Sequence, residues 1–416
     1  MKRIFISLFF FAFMWTAAGA DASPELLFVR WPANPDAVWY SFRIVPVTQH
    51  FGRKEMRPPI YEDGHVFRDS VMIEKEITDS YDGPGILCCQ VKAIGLDGQS
   101  ISAYSAPVPM EKAAQEMERY APKIRVKYHE QNGTVLLYPA YSFVKIPHAV
   151  SYEVEITDEE PENPDGCEPS VHRISQGIVT IPELFDELPR QGTVWWRVRG
   201  LDENGGPVGV WSEAEKIVND PAENWETGIL GDSISHGGGR MSYSPADWPY
   251  NYAYYLDFPT INMSRSGDKT DDLLRRFDAD VLPFHVRYLL IMGGTNNLRC
   301  GGTAEKVISD LEALQEKCRS GGIEPVLLTI PPIAPDRIWK YYQQPTAENW
   351  KAEFDKVNGW IRTQTHIDTA APFAMYEDMP ENLAADGLHP DKEAKEKMGK
   401  IINEKFPEIR KKISET

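Results

Sequence analysis

Glu226-Thr227-Gly228-Ile229-Leu230-Gly231-Asp232-Ser233-Ile234-Ser235-His236 is the stretch on which the reading of the chain turns. Ile229 and Leu230 read as the end of a short apolar strand. Gly231 allows a sharp turn, and Ser233 falls just past it, at the carboxyl edge of a sheet, where ligands of open α/β folds bind. Gly-Asp-Ser is also an ordinary turn sequence. Alone, it is more commonly a solvated turn than a site.

Three later stretches bear on it. Asn262-Met263-Ser264-Arg265-Ser266-Gly267 puts a glycine after a short apolar segment. Tyr288-Leu289-Leu290-Ile291-Met292 is a buried-strand pattern that runs into Gly293-Gly294-Thr295-Asn296-Asn297. Asp386-Gly387-Leu388-His389-Pro390 supplies a carboxylate and an imidazole near the C-terminus. Each has a plain reading by itself: a loop, a strand end, a turn ahead of a helix.

In order and spacing, the four stretches resemble the SGNH (GDSL-type) esterase family, whose blocks are named for Ser, Gly, Asn and His. The resemblance runs from Glu226 to the end of the chain. Ile234 stands where Leu is frequent, a volume-conserving change. Asn297 replaces the aspartate that often follows the block-three Asn, while Asn296 itself is present.

A serine hydroxyl needs a base to take its proton and donors for the oxyanion that forms. Ser233 is the candidate nucleophile and His389 the candidate base. Asp386, three residues before His389, is close enough to orient the imidazole. The resemblance implies an oxyanion hole made of the backbone N–H groups of Ser233 and Gly267 and the side-chain amide of Asn296. Losing one such donor typically costs on the order of 3 kcal/mol in the transition state. His236, Tyr243 and Trp248, which follow the nucleophile, are candidate substrate contacts. His236 is also a rival base, with no acid partner nearby in sequence. Asp368, at the end of the last strand, reads as structural. Gly237-Gly238-Gly239 lacks the Gly-Lys-Ser/Thr of a phosphate cradle. Nothing in the sequence calls for a metal or organic cofactor.

The chain has 416 residues, too many for one ordinary domain, with 42% hydrophobic and 25% charged residues. A formal net charge of −18 repels phosphate backbones and anionic lipid surfaces, which argues against nucleic-acid binding. Lys2 and Arg3, the apolar run Ile4 to Trp15 and the small residues Ala18-Gly19-Ala20 read as a signal peptide over residues 1–20. No later run is long and apolar enough to span a bilayer. The expectation is an exported protein, periplasmic or extracellular. Five cysteines cannot all pair within one chain, and most read as free, packed thiols.

The first half is duplicated. Ala37-Val-Trp-Tyr-Ser-Phe-Arg-Ile44 echoes Ala149-Val-Ser-Tyr-Glu-Val-Glu-Ile156. Leu87-Cys-Cys-Gln-Val-Lys-Ala-Ile94 echoes Val194-Trp-Trp-Arg-Val-Arg-Gly-Leu201, and each soon meets an aromatic-Ser pair, Tyr104-Ser105 or Trp211-Ser212. The period-two sets Leu87, Cys89, Val91, Ala93 and Val194, Trp196, Val198, Gly200 are the expected core faces. Two β-sandwiches follow, over 24–112 and 121–218, joined by a linker from Glu111 to Tyr120. They are similar to fibronectin type III modules, a likeness carried by the Ala-x-x-Tyr and Trp-Arg-Val-Arg stretches.

From Trp225 short apolar strands alternate with helical stretches, which predicts a parallel sheet covered on both faces. Strands are expected near 227–231, 260–263, 288–292, 325–330 and 366–368. Helices are expected near 245–257, 304–319, 347–364 and 391–405. The family resemblance implies the same three-layer, flavodoxin-like fold over 225–416.

The leading functional reading is an exported serine esterase that removes short acyl groups, acetyl first, from a carbohydrate through an acyl-enzyme. The alternatives are a lipid acyl-ester hydrolase, such as a lysophospholipase or thioesterase, and a non-catalytic glycan-binding or adhesion protein. The aromatics Tyr250, Trp339, Tyr341, Tyr342 and Trp350 serve equally as sugar-stacking faces or as core. The oligomeric state is not legible in the sequence.

Overall fold

The apolar runs after Trp225 lie side by side in one parallel sheet of a computed structural model. The model describes residues 25–34, 36–51, 53–125, 132–238 and 244–415. Residues 1–20, expected to be a signal peptide, lie outside them. Thr227–Gly231, Ile261–Asn262, Tyr288–Met292, Glu324–Leu328 and His366–Ile367 are the strands. Numbered along the chain, their spatial order is 2-1-3-4-5, the flavodoxin-like doubly wound order. The strand order reverses beside Thr227–Gly231, so the switch point lies between that strand and Tyr288–Met292.

Alternation along the strands sorts side chains to two cores. Leu230, Leu289, Ile291 and Leu327 pack with Leu273, Phe277, Val307, Leu311 and Phe354 on one face. Ile229, Leu290, Val326 and Leu328 pack with Ala394, Met398, Ile402 and Phe406 on the other. The first group of partners comes from helices Thr270–Asp280, Ala304–Ser320 and Trp350–Ile361, the second from Lys392–Ser414. Local signals set the helix ends. Thr303 Oγ1 accepts from Lys306 N at 3.3 Å, and Gly322, at φ +72°, closes the same helix. Asp391 Oδ1 accepts from the N–H groups of Glu393 and Ala394.

The stretch 245–257 is not an α-helix. It forms two 3₁₀ turns, Trp248–Tyr250 and Tyr252–Tyr255. Pro249 has no N–H to donate, and Asn251 is extended, capping the second turn through Ala253 N. Thr270–Asp280 and Pro335–Tyr342 are helices the sequence reading left out.

Two hydrogen bonds recur at equivalent positions of the duplicated stretches. Tyr40 Oη accepts from Asn34 N at 2.6 Å, and Tyr152 Oη from Ile146 N at 3.1 Å, both six residues back. Ser105 Oγ accepts from Val91 N at 3.1 Å, and Ser212 Oγ from Val198 N at 3.0 Å. Each copy has a three-stranded and a five-stranded sheet, with antiparallel pairing throughout. Leu27, Val29, Phe42, Ile44, Ile73 and Cys89 share one core in the first copy. Cys89, Ala93, Val194, Trp196 and Val198 are buried as their alternation requires, while Leu87 and Val91 are half-buried. Cys88, on the other face, is buried too, because Val108–Pro109 pairs alongside it. All five thiols are free.

Residues 111–120 do more than link the copies. Met110–Ala113 is a helical turn, and Ala114–Met117 pairs with Leu26–Arg30 inside the first copy's smaller sheet. A second departure concerns the later half. Val135–Leu136, within the second copy, pairs in parallel with Ile261–Asn262 and forms the sixth strand of the α/β sheet. Among the described residues, no helix is long and apolar enough to cross a membrane.

Candidate active site

Ser233 opens a single helical turn, Ser233–His236, directly after strand Thr227–Gly231. The turn is tight because Gly231 has no Cβ. One added there would fall 2.5 Å from the Met292 carbonyl oxygen and 2.6 Å from Ser235 Oγ. Asp232 caps the turn, its Oδ1 accepting from Ile234 N at 2.9 Å. Ser233 is thus at the first helical position, where its N–H has no partner within the helix.

Ser233 Oγ stands 2.9 Å from His389 Nε2. His389 Nδ1 donates to Asp386 Oδ2 at 2.7 Å, which leaves Nε2 as the acceptor facing the serine. Asp386 also folds its own loop: Oδ1 accepts from the N–H groups of Leu388 and His389 at 2.9 and 2.8 Å. Gly387 is left-handed at φ +80°, and a Cβ there would lie 2.5 Å from the Ala334 carbonyl oxygen. All three side chains are buried, with Ser233 7% exposed, His389 5% and Asp386 fully enclosed. Burial alone would raise the Asp386 carboxyl. The His389 imidazole beside it, with hydrogen bonds from His389 and Tyr342, outweighs burial and holds it well below the usual carboxylate range.

Two neighbouring loops converge on Ser233. Arg265 N donates to Gly231 O at 3.1 Å, so Gly267 and Ser233 each lie two residues beyond a bonded pair. Gly267 has φ +90°, and a Cβ added to it would meet nothing within 4 Å, so it borders open space. Gly231 also pairs in register with Met292, and Asn296 follows in the turn Thr295–Arg299. One Asn296 Nδ2–H goes to Asp268 O at 3.0 Å, and Oδ1 accepts from Arg299 Nε at 3.2 Å. Asn297 ties two loops together, its Oδ1 accepting from Thr270 N at 3.0 Å. Ser233 and Asn296 therefore flank the switch point of the sheet, where open α/β folds bind ligands.

Around the serine turn lie two buried ionisable groups that sequence reasoning missed, Lys395 and Asp232. Lys395 Nζ donates to the Ile234 carbonyl, and its ammonium is brought down to about 7 by burial against the pull of Asp232. Burial raises the Asp232 carboxyl to about 6. Tyr342 is the other omission. Its hydroxyl donates to Asp386 Oδ2 at 2.5 Å and lies 3.2 Å from His389 Nδ1.

The expected substrate contacts fare differently. His236 is 4% exposed, and protein groups occupy both its ring nitrogens. Its Nε2 donates to the Tyr138 carbonyl at 2.7 Å, and its Nδ1 accepts from Ser266 N at 3.2 Å. These bonds tie His236 to the Tyr138 and Ser266 backbone, and its hydrogen bonds reach no member of Ser233, His389 and Asp386. Burial, with the nearby charges of Arg276 and Arg265, brings it down to about 4. Trp248 is half-buried and lines a cavity of about 440 Å³ with Tyr40, Arg68, Tyr250 and Tyr254, a set that contains none of Ser233, Asp386 and His389. Tyr243 lies outside the described residues. Among the later aromatics, Trp350 is core and Trp339 is exposed. Tyr341 lines a groove of about 520 Å³ with Ala385 and, from the first copy, Asp36 and Asp97.

A hydroxyl, an imidazole and a carboxylate bonded in series at the carboxyl edge of a parallel sheet form the arrangement used in acyl transfer by serine hydrolases. Residues 229–397 match the GDSL-like lipase/acylhydrolase family. That part of the chain is a GDSL-like lipase/acylhydrolase domain, and the protein is an ester hydrolase of this type. It is similar to the thioesterase 1/protease 1/lysophospholipase L1 of Escherichia coli, 29% identical over 171 residues that cover 40% of this chain and 76% of the relative. Among solved structures it is similar to a lipase/acylhydrolase from Enterococcus faecalis, with 25% identity and a TM-score of 0.36, over 44% of this chain and 95% of the other. It is also similar to an acetylxylan esterase from Geobacillus stearothermophilus, with 19% identity and a TM-score of 0.33, over 44% and 93%.

Proposed function

We propose that the protein is an exported serine esterase that removes short acyl groups, acetyl first, from a carbohydrate. The observation that carries this reading is the hydrogen-bonded series Ser233–His389–Asp386. Ser233 Oγ attacks the ester carbonyl carbon as His389 Nε2 takes its proton. Asp386 stabilises the imidazolium and stays ionised. The tetrahedral oxyanion is held by the N–H groups of Ser233 and Gly267 and by the second Nδ2–H of Asn296. Collapse breaks the C–O bond to the sugar, and His389 returns the proton to the leaving hydroxyl. Water, deprotonated by His389, then attacks the acyl-enzyme and releases the acid and Ser233.

In this reading residues 1–20 direct export, and 24–112 and 121–218 are fibronectin type III-like β-sandwiches that precede a hydrolase domain at 225–416. The duplicated bonds of Tyr40 and Tyr152 favour two copies of one module. The acidic net charge and the modules suit a polymeric, uncharged substrate better than an anionic membrane surface. A lipid acyl ester is the second reading, favoured by the similarity to a thioesterase and lysophospholipase.

Hydrolysis of p-nitrophenyl esters from acetate to palmitate, with acetylated xylan and a lysophospholipid in parallel, tests the choice. Turnover confined to short chains, with acetate released from the polysaccharide, is expected. Rates that rise with chain length and favour the lysophospholipid would move the assignment to lipids.

A further inference from the structure

We propose that Tyr342 is a positioning residue of the acid–base pair: it holds Asp386 and fixes the tautomer of His389. The proposal rests on the reading of Ser233, His389 and Asp386 given above.

The geometry singles this tyrosine out. Asp386 carries two carboxylate oxygens and receives four donors: Leu388 N and His389 N on Oδ1, His389 Nδ1 and Tyr342 Oη on Oδ2. The Tyr342 bond, at 2.5 Å, is the shortest of the four and falls in the charge-assisted range for a hydroxyl on a carboxylate. Oη is also 3.2 Å from His389 Nδ1, so its lone pairs offer the Nδ1–H a second acceptor. The first contact holds Asp386 in place; the second favours the proton on Nδ1 and leaves the Nε2 lone pair for Ser233. The Tyr342 and His389 rings meet edge to face, with centroids 6.2 Å apart.

The helix that carries Tyr342 is clipped to the same loop. Pro335–Tyr342 begins after Ala334, whose N–H donates to Gly387 O at 2.7 Å. Arg337 Nε donates to Ala384 O at 3.3 Å. At the other end Gln343 turns left-handed at φ 53° and stops the helix at Tyr342. The helix therefore lies along the Asp386–His389 loop, and the Tyr342 hydroxyl at its end bonds the reacting pair.

The hydroxyl withdraws charge from the carboxylate that faces the imidazole. Without it, Asp386 Oδ2 keeps only the His389 Nδ1–H donor, and the pair is held less firmly in register with Ser233. In Tyr342→Phe, kcat for p-nitrophenyl acetate should fall about ten-fold with KM little changed. Phe keeps the ring, so a packing role alone would leave kcat in place. The low-field proton resonance of His389 Nδ1–H should also shift, a readout that needs no turnover.

Ser233→Ala is run beside it. Loss of activity in Ser233→Ala together with a lowered kcat and a shifted resonance in Tyr342→Phe is the expected result. A Tyr342→Phe kcat and resonance equal to those of wild type, with Ser233→Ala inactive, would overturn the role of Tyr342 alone. Full activity in Ser233→Ala would overturn both it and the reading beneath it.

Discussion

The Tyr138 carbonyl accepts a 2.7 Å hydrogen bond from His236 Nε2, three residues after Ser233 in the chain. Tyr138 belongs to the second β-rich copy, so that copy supports the turn that carries the serine. Neighbouring contacts agree. Asn132 Nδ2 donates to the carbonyls of Ala253 and Leu256, and Tyr138 Oη donates to Asp280 Oδ2 at 2.5 Å. Asn219 Nδ2 donates to Leu136 O at 2.8 Å, beside the sixth strand.

A fragment of residues 225–416 should therefore be markedly less stable than one of residues 119–416. It loses the Val135–Leu136 strand, uncovers Ile261 and leaves the His236 Nε2–H without its acceptor. One orphaned buried donor costs about 1–3 kcal/mol, before any apolar surface is counted. Calorimetry of the two fragments checks this, and equal melting temperatures would contradict it.

His236 makes stability depend on pH. Its value is depressed in the folded state, from 6.5 to about 4, so the unfolded chain binds more protons between those limits. Its contribution is fully present above pH 6.5 and is lost as the pH falls toward 4. The gap corresponds to about 3 kcal/mol. His236→Gln keeps an N–H for Tyr138 and does not titrate. Urea unfolding at pH 4 to 7 should show a shallower acid loss in the variant than in wild type.

Asn296→Ala should lower kcat by about 10²–10³-fold with little change in KM, because an oxyanion donor acts on the transition state more than on bound ester. Asn297→Ala should instead lower the melting temperature, since its amide oxygen satisfies Thr270 N inside the protein. Steady-state kinetics beside thermal melts separates the two neighbouring asparagines.

Asp386→Asn should cost about 10⁴ in kcat. An amide cannot accept at every position where the carboxylate now takes four donors, and the imidazole loses its fixed tautomer. Rapid-quench measurement of acyl-enzyme formation should show the loss in acylation.

Much of the α/β part was legible because buried parallel strands announce themselves. Ile229-Leu230 and Tyr288–Met292 are apolar runs closed by glycine, and both are strands where the sequence puts them. The strand order needed contacts that a run of residues does not carry. Val135–Leu136 is two residues long and sits inside a duplicated β pattern, so nothing local marks it as the edge of another sheet. Ala113-Ala114-Gln115-Glu116-Met117 has the composition of a helix or linker, yet tertiary pairing with Leu26–Arg30 makes most of it a strand. At the site, Ser233, His389 and Asp386 were proposed from motif, and the three side chains are bonded in series. His236 was proposed from its closeness in sequence to Ser233, which carries no sign of its bond to the Tyr138 carbonyl. Tyr342 was one aromatic among several, and its position 44 residues before Asp386 in the chain gave no sign of their contact.

Intact-mass analysis after treatment with a fluorophosphonate tests the central claim most directly. Wild type should gain one phosphonyl group, lodged on Ser233 in the peptide map, while Ser233→Ala gains none and His389→Ala reacts far more slowly. Equal labelling of wild type and Ser233→Ala, or a label on another residue, would contradict the account.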